Sequence, residues 1–193
     1  MSNTIAQYDT AVRSCKEIFI KKTKDYGTSW RVLRPISILD QLFIKAQRIR
    51  TIQERKKQLV ADDVMDEFRG MVNYSVIGLI QLGIGSDAIE EMEVDTVEKW
   101  YNEKIEETKS LMLKKNHDYG EAWRSMSQES FVDLILMKLM RMRQIIANEG
   151  KTLISEGLDA NYQDIINYSL FAIITDSEKN ESNPVLLKPK TNI

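Results

Sequence analysis

Apolar residues recur at helical spacing along most of this chain, and glycine and proline fall where the runs break. The pattern predicts a first helix over residues 4–24, stopped at Asp25-Tyr26-Gly27, where glycine can supply the positive φ of a helix C-cap. An irregular stretch through Arg34-Pro35 follows, and Ser37 is placed to cap a second helix reaching about residue 57. A third helix is expected over 62–82, broken by Gly83-Ile84-Gly85, with Ser86 and Asp87 capping a short turn. Asp95 with Glu98 three residues on reads as the capping box of a long helix leading to His117. Helices over 128–149 and 159–176, joined by a 150–157 connection, complete an all-α bundle of about six main helices.

The polar positions repeat. Lys21-Lys22-Thr23-Lys24-Asp25-Tyr26-Gly27-Thr28-Ser29-Trp30-Arg31 returns as Lys114-Lys115-Asn116-His117-Asp118-Tyr119-Gly120-Glu121-Ala122-Trp123-Arg124. At the same offset come Ser37/Ser130, Asp40/Asp133, Lys45/Lys138, Arg48/Arg141 and Arg50/Arg143, and, one residue out of step, Asn73-Tyr74-Ser75 and Asn167-Tyr168-Ser169. Apolar positions drift between the copies (Ile18/Leu111, Leu33/Met126, Phe43/Leu136, Ile44/Met137, Ile49/Met142), as a core tolerates, while the charges stay identical. The chain therefore reads as one all-α domain over 1–177, with repeats over about 18–77 and 111–171 in pseudo-two-fold symmetry and a flexible tail over 178–193.

Each repeat was built around a polar constellation. The stretch Phe131 to Ile146 carries so many apolar residues that it should be buried nearly all round, yet it includes Asp133, Lys138 and Arg141. On a helical wheel with Asp133 at the origin, Arg141 falls at about 80° and Lys138 at about 140°, so one sector holds all three. Asp40, Lys45 and Arg48 do the same in the first copy. Charges on such a helix must be paired or face a polar cavity. Two readings follow: an internal ion-pair network that holds the repeats in register, or an anion pocket in which two cations one turn apart meet a phosphate chain.

The loops add aromatic and cationic parts: Tyr26/Tyr119 and Trp30/Trp123 can stack on a base, and Arg31/Arg124 can pair with phosphate, although a tryptophan after such a loop is more often a core anchor. In the third helix of the second copy, Asp164 precedes Asn167 by three residues. Asp164, Asp133 and Asp118 then form a set of oxygen ligands suited to Mg²⁺, and the candidate catalytic acids. The first copy has Gly70 at the matching position, with Glu67 a turn earlier, so its expected site is Asp25, Tyr26, Trp30, Arg31, Asp40, Lys45, Arg48 and Asn73. Asn73 and Asn167 could instead bond a neighbouring loop. The Lys21-Lys22 and Lys114-Lys115 pairs read as solvated helix ends.

Composition narrows the classes. A net charge of −2 implies no basic surface of the kind that grips duplex nucleic acid. His117 and Cys15 are the only residues of their types, which removes cysteine zinc sites, disulfides within the chain, a cysteine–histidine nucleophile and a multi-histidine phosphohydrolase centre. No run spans a bilayer and the N-terminus carries no basic-then-apolar leader, so the cytoplasm is the expected compartment.

The Lys-x-x-Asp-Tyr-Gly-x-x-Trp loop, the Asp-x-x-x-x-Lys-x-x-Arg helix and the Asp-x-x-Asn-Tyr helix resemble the nucleotide modification associated domain 1 family, a domain of unknown function, here in tandem. A more distant likeness is to MazG-like all-α nucleoside triphosphate pyrophosphohydrolases, which hold Mg²⁺ with Glu-x-x-Glu and Glu-x-x-Asp motifs. This chain departs from that pattern, since Glu90-Glu91 and Glu106-Glu107 lie outside the repeated elements. The expected partner is a nucleotide or another phosphorylated small molecule. Metal-bound water would be the route if hydrolysis occurs, a homodimer stays open, and the alternative is a non-enzymatic helical scaffold or interaction module.

Overall fold

The computed structural model describes residues 2–85, 91–152, 154 and 156–182. Six helices make up the bundle: α1 (Ser2–Tyr26), α2 (Pro35–Arg55), α3 (Val64–Ile84), α4 (Val94–Tyr119), α5 (Gln128–Ala147) and α6 (Leu158–Ser182). A 3-10 turn precedes α2 (Ser29–Val32) and another precedes α5 (Ala122–Ser125), so the three-helix plan occurs twice. No strand occurs among the described residues, and none of their helices is long and apolar enough to cross a membrane.

Local chemistry accounts for most boundaries. Gly27 and Gly120 end α1 and α4 with φ of +63° and +61°, and Gly85 ends α3 at +67°, as the glycine breaks predicted. Asp63 caps α3 by accepting from the Met65 amide at 3.0 Å, and Ser127 caps α5 by accepting from the Ser130 amide at 3.2 Å. Two expected caps are displaced. α2 begins at Pro35, whose ring pre-sets φ at the first helical position and holds Arg34 extended, so Ser37 lies inside the first turn. α4 begins after Glu93, which leaves Asp95 as its second residue. α6 continues to Ser182 instead of stopping at Asp176, and the expected Ser86-Asp87 turn and residues 183–193 lie outside the described residues.

α3 and α6 pack on each other at the centre, α2 and α5 form a second matched pair, and α1 and α4 close the bundle. The crossing of α3 and α6 is close. A Cβ on Gly78 would lie 2.4 Å from the ring of Tyr162, which is itself 1% exposed. The copies also interlock. Tyr8 on α1 donates to Asn167 Oδ1 on α6 at 2.9 Å, and its counterpart Tyr101 on α4 donates to Asn73 Oδ1 on α3 at 2.9 Å. Each copy's first helix is thereby tied to the other copy's last. Asn73 completes its bonding by donating to the Cys15 carbonyl at 3.0 Å, so the asparagines serve helix junctions and not a neighbouring loop.

Candidate functional site

After α1, Gly27 takes a left-handed turn with the Glu91 carboxylate pressed against its α-carbon, and Thr28 Oγ1 accepts from the Met92 amide at 3.2 Å. This fixes the 3-10 turn that carries Trp30 and Arg31. Arg31 then donates to Gln81 Oε1 and, at 3.3 Å, to the Gly85 carbonyl, while Gln81 Nε2 donates back to the carbonyls of Arg31 and Leu33 at 3.2 Å each. The turn is clamped to the end of α3. Arg124 clamps the second turn, with Glu121 at 2.8 Å, Glu178 at 2.7 Å, and Thr4 and Gln7 at 2.8 Å each. Neither arginine has the disposition expected of a phosphate ligand.

Beneath the first loop lies a cavity of about 590 Å³. α1 supplies Phe19, Lys22 and Tyr26 to its wall, the turn supplies Trp30, α2 supplies Lys45, and α3 with its leader supplies Asp62, Asp66, Glu67, Arg69, Gly70, Asn73 and Tyr74. Gly70 is there for space. The Lys45 stem lies 2.9 Å from where a Cβ would be, and its ammonium reaches on to Glu67 at 3.0 Å. Arg48 holds the other Glu67 oxygen at 2.5 Å. Burial alone would raise the Glu67 carboxyl, but hydrogen bonds from Lys45 and Arg48 and their charges outweigh it and hold the group below its ordinary range. Trp30 is 8% exposed, and its Nε1–H is buried with no hydrogen-bond partner.

The second copy fills the same space. Trp123 stacks face to face on Phe171, with centroids 4.2 Å apart and planes 5° from parallel, and donates through Nε1 to Asn116 Oδ1 at 3.1 Å. At the matching positions the first copy has Ile77 for Phe171 and Thr23 for Asn116, and the Thr23 hydroxyl is turned to the Phe19 carbonyl. Asp164 stands where the first copy has Gly70, and there it pairs with Lys138 at 2.5 Å and Lys115 at 2.7 Å. Burial would lower the Lys115 ammonium, yet the hydrogen bond to Asp164 and that carboxylate's charge raise it. Lys115 is therefore exposed, as expected of a helix end, and also paired with Asp164, which it shares with Lys138.

Both copies match the nucleotide modification associated domain 1 family, over residues 22–82 and 115–175. The chain belongs to that family. No curated protein and no solved structure matches it. The two matched stretches differ from one another in their interiors at the three positions just described.

The remaining expected residues are dispersed over the tandem domains. Asp40 and Asp133 face the α2–α5 junction, where Asp40 accepts from Arg143 at 2.8 Å and Asp133 lies 3.8 Å from Arg50, a crosswise pairing that ties the copies together. Neither belongs to the cavity wall. Helix α5 is not buried all round, for Asp133, Met137, Met140 and Arg141 share an exposed face while Lys138 turns inward at 7% exposure. The presumed sector of Asp133, Lys138 and Arg141 is thereby split. Asp118 is exposed beside His117 at 3.1 Å, Tyr119 is 74% exposed, and Asp25 is exposed outside the cavity wall. Asp118, Asp133 and Asp164 thus keep three separate sets of partners, and among the described residues no group of three or more acidic, histidine or cysteine side chains is placed to hold a metal ion. Burial pushes the Cys15 thiol up to about 12, which leaves it without nucleophilic thiolate near neutral pH.

Tyr26, Trp30, Lys45 and Asn73 are the expected residues that the structure brings to the cavity. Lys22, Tyr74 and Arg69 are contributors that sequence reasoning passed over. A signal for Lys22 existed: its repeat partner Lys115 lies one helical turn before Tyr119, just as Lys22 lies one turn before Tyr26.

Proposed function

We propose that this protein binds a nucleotide, or a phosphorylated metabolite of similar size, in the cavity of its first domain copy. The observation that carries the reading is the Trp30 Nε1–H, a buried donor without an acceptor in a copy whose twin satisfies the same group internally. Leaving such a donor unmet costs about 1–3 kcal/mol, and because Nε1 itself is closed off, a ligand acceptor would recover it on a small turn of the indole toward the cavity that its ring lines. The rest of the wall suits the same class. Its volume of about 590 Å³ lies in the range of small-molecule sites, Tyr26 and Tyr74 offer aromatic faces, and Lys22 offers a cation. The family's association with nucleotide modification agrees with this class of ligand.

The reading stops at binding. Glu67 and Asp164 are each engaged by two cations, and such carboxylates would have to give up those pairs to hold Mg²⁺ or to act as a base. The scaffold reading applies to the second copy, where the Trp123–Phe171 stack and the Asp164 ion pairs occupy the interior. Copying that interior tests the proposal. Ile77→Phe should place a ring against Trp30 and abolish ligand-dependent stabilisation across a panel of nucleosides and nucleotides, with the ligand-free melting temperature kept within a few degrees. Undiminished stabilisation in the variant would overturn the assignment of the ligand to this cavity.

A further inference from the structure

The charges around the first-copy cavity are nearly all committed, and this limits what a ligand can carry. Its wall holds three cations, Lys22, Lys45 and Arg69, and three carboxylates, Asp62, Asp66 and Glu67. Lys45 is paired with Glu67 at 3.0 Å, and Arg69 is paired with Asp66 at 2.6 Å. Arg48, which approaches from outside the wall, is divided between Glu67 and Asp62. Lys22 is the wall cation that has no ion-pair partner among the described residues. The helix ends contribute no further anion site. α3 starts beside the cavity, but its first turn carries Asp66 and Glu67 and is capped by Asp63. α1 reaches the cavity with its C-terminal end, the negative pole of its dipole.

We infer that the ligand carries one phosphate, as a nucleoside 5′-monophosphate with its phosphate at Lys22 and its base among Trp30, Tyr26 and Tyr74. This rests on the nucleotide reading above and deepens it. A monoester needs one uncommitted cation at the rim, which Lys22 supplies. A di- or triphosphate would extend its charge toward Asp62, Asp66 and Glu67, and would have to break the Lys45–Glu67 and Arg69–Asp66 pairs to find counter-charges. The base needs a flat apolar slot, which Trp30, Tyr26 and Tyr74 provide in the cavity wall.

The test is calorimetric titration of the full chain with the common ribo- and deoxyribonucleosides and their 5′-mono-, di- and triphosphates, with and without Mg²⁺, repeated on Lys22→Gln. Lys22 is exposed, so its replacement does not threaten the fold. Tightest binding by a monophosphate, weakened about tenfold or more in Lys22→Gln to the level of its own nucleoside, is the expected result. Tighter binding of a di- or triphosphate, in either metal condition, would overturn the single-phosphate inference and leave the cavity reading standing. A nucleoside that binds as well as its monophosphate, or a Lys22→Gln variant with unchanged affinity, would overturn the placement at Lys22. Silence across the whole set would overturn the nucleotide reading and this inference together.

Discussion

Removing the Asp164 carboxylate should be among the most damaging single changes to this fold. In Asp164→Ala the Lys138 ammonium, whose side chain is 9% exposed, loses its partner inside the bundle, while Lys115, 45% exposed, can swing into water. Stranding one partner of a buried pair costs about 3–5 kcal/mol. In a chain of this length each kcal/mol lowers the melting midpoint by about 2–4 °C, so a fall of roughly 6–20 °C is expected. Glu67→Ala in the first copy is the internal control. There Lys45 and Arg48 are each 24% exposed beside an open cavity and can rehydrate, which should limit the loss to about 1 kcal/mol. A third variant separates charge from packing: Lys138→Met combined with Asp164→Val removes both charges with only a modest change in volume and should return stability to within about 1 kcal/mol of the parent. Urea unfolding followed by far-ultraviolet circular dichroism reads all three on one scale. A loss below about 1 kcal/mol in Asp164→Ala would refute the argument, since it would mean that Lys138 reaches solvent without its partner.

Tyr8→Phe and Tyr101→Phe each leave a buried asparagine oxygen without its donor and should cost about 1–3 kcal/mol in urea unfolding, with similar values because the two bonds are repeat equivalents. Gly78→Ala drives a methyl into the Tyr162 ring at a crossing with no room to shift, and a loss of about 1–3 kcal/mol is expected; a neutral result would mean that α3 and α6 can slide apart. Gly120→Ala meets open space but must hold φ near +61°, so thermal unfolding should show a loss of about 1 kcal/mol from the backbone alone. Because Glu67 is held below its unfolded value, the stability it contributes is present above the ordinary glutamate range and is lost as pH falls through its folded value. The parent should therefore lose more stability than Glu67→Gln as pH drops below about 4.3, and parallel pH profiles would refute the linkage.

Where the sequence reading went astray, two local rules usually competed. Ser37 and Asp95 are good capping residues, but Pro35 can begin a helix three residues sooner than a Ser37 cap would, and α4 starts ahead of its capping box. The wheel that grouped Asp133, Lys138 and Arg141 was right about their angles. It missed that the solvent boundary runs between Lys138 and the other two, a boundary set by where α2 and α6 lie against α5. The tryptophan positions were recognised as important in both copies, yet their roles diverge through partners far away in the chain, such as Phe171 beneath Trp123.

The sequence by itself determined the all-helical class, the duplication, the glycine-closed loops and the polar residues around which each copy is organised. Periodicity, capping and φ preference act within a few residues, so they can be read from the chain directly. Only the tertiary structure decided which acid answers which cation, that Asp40 and Asp133 stitch the copies together, and that the space open under the first copy's loop is occupied in the second by the Trp123–Phe171 stack and the Asp164 ion pairs. That last difference comes from Gly70 against Asp164, Ile77 against Phe171 and Thr23 against Asn116. Each is an unremarkable change on its own helix, and Asp164, Phe171 and Asn116 take their effect from Lys138, Lys115 and Trp123, which other elements set against them.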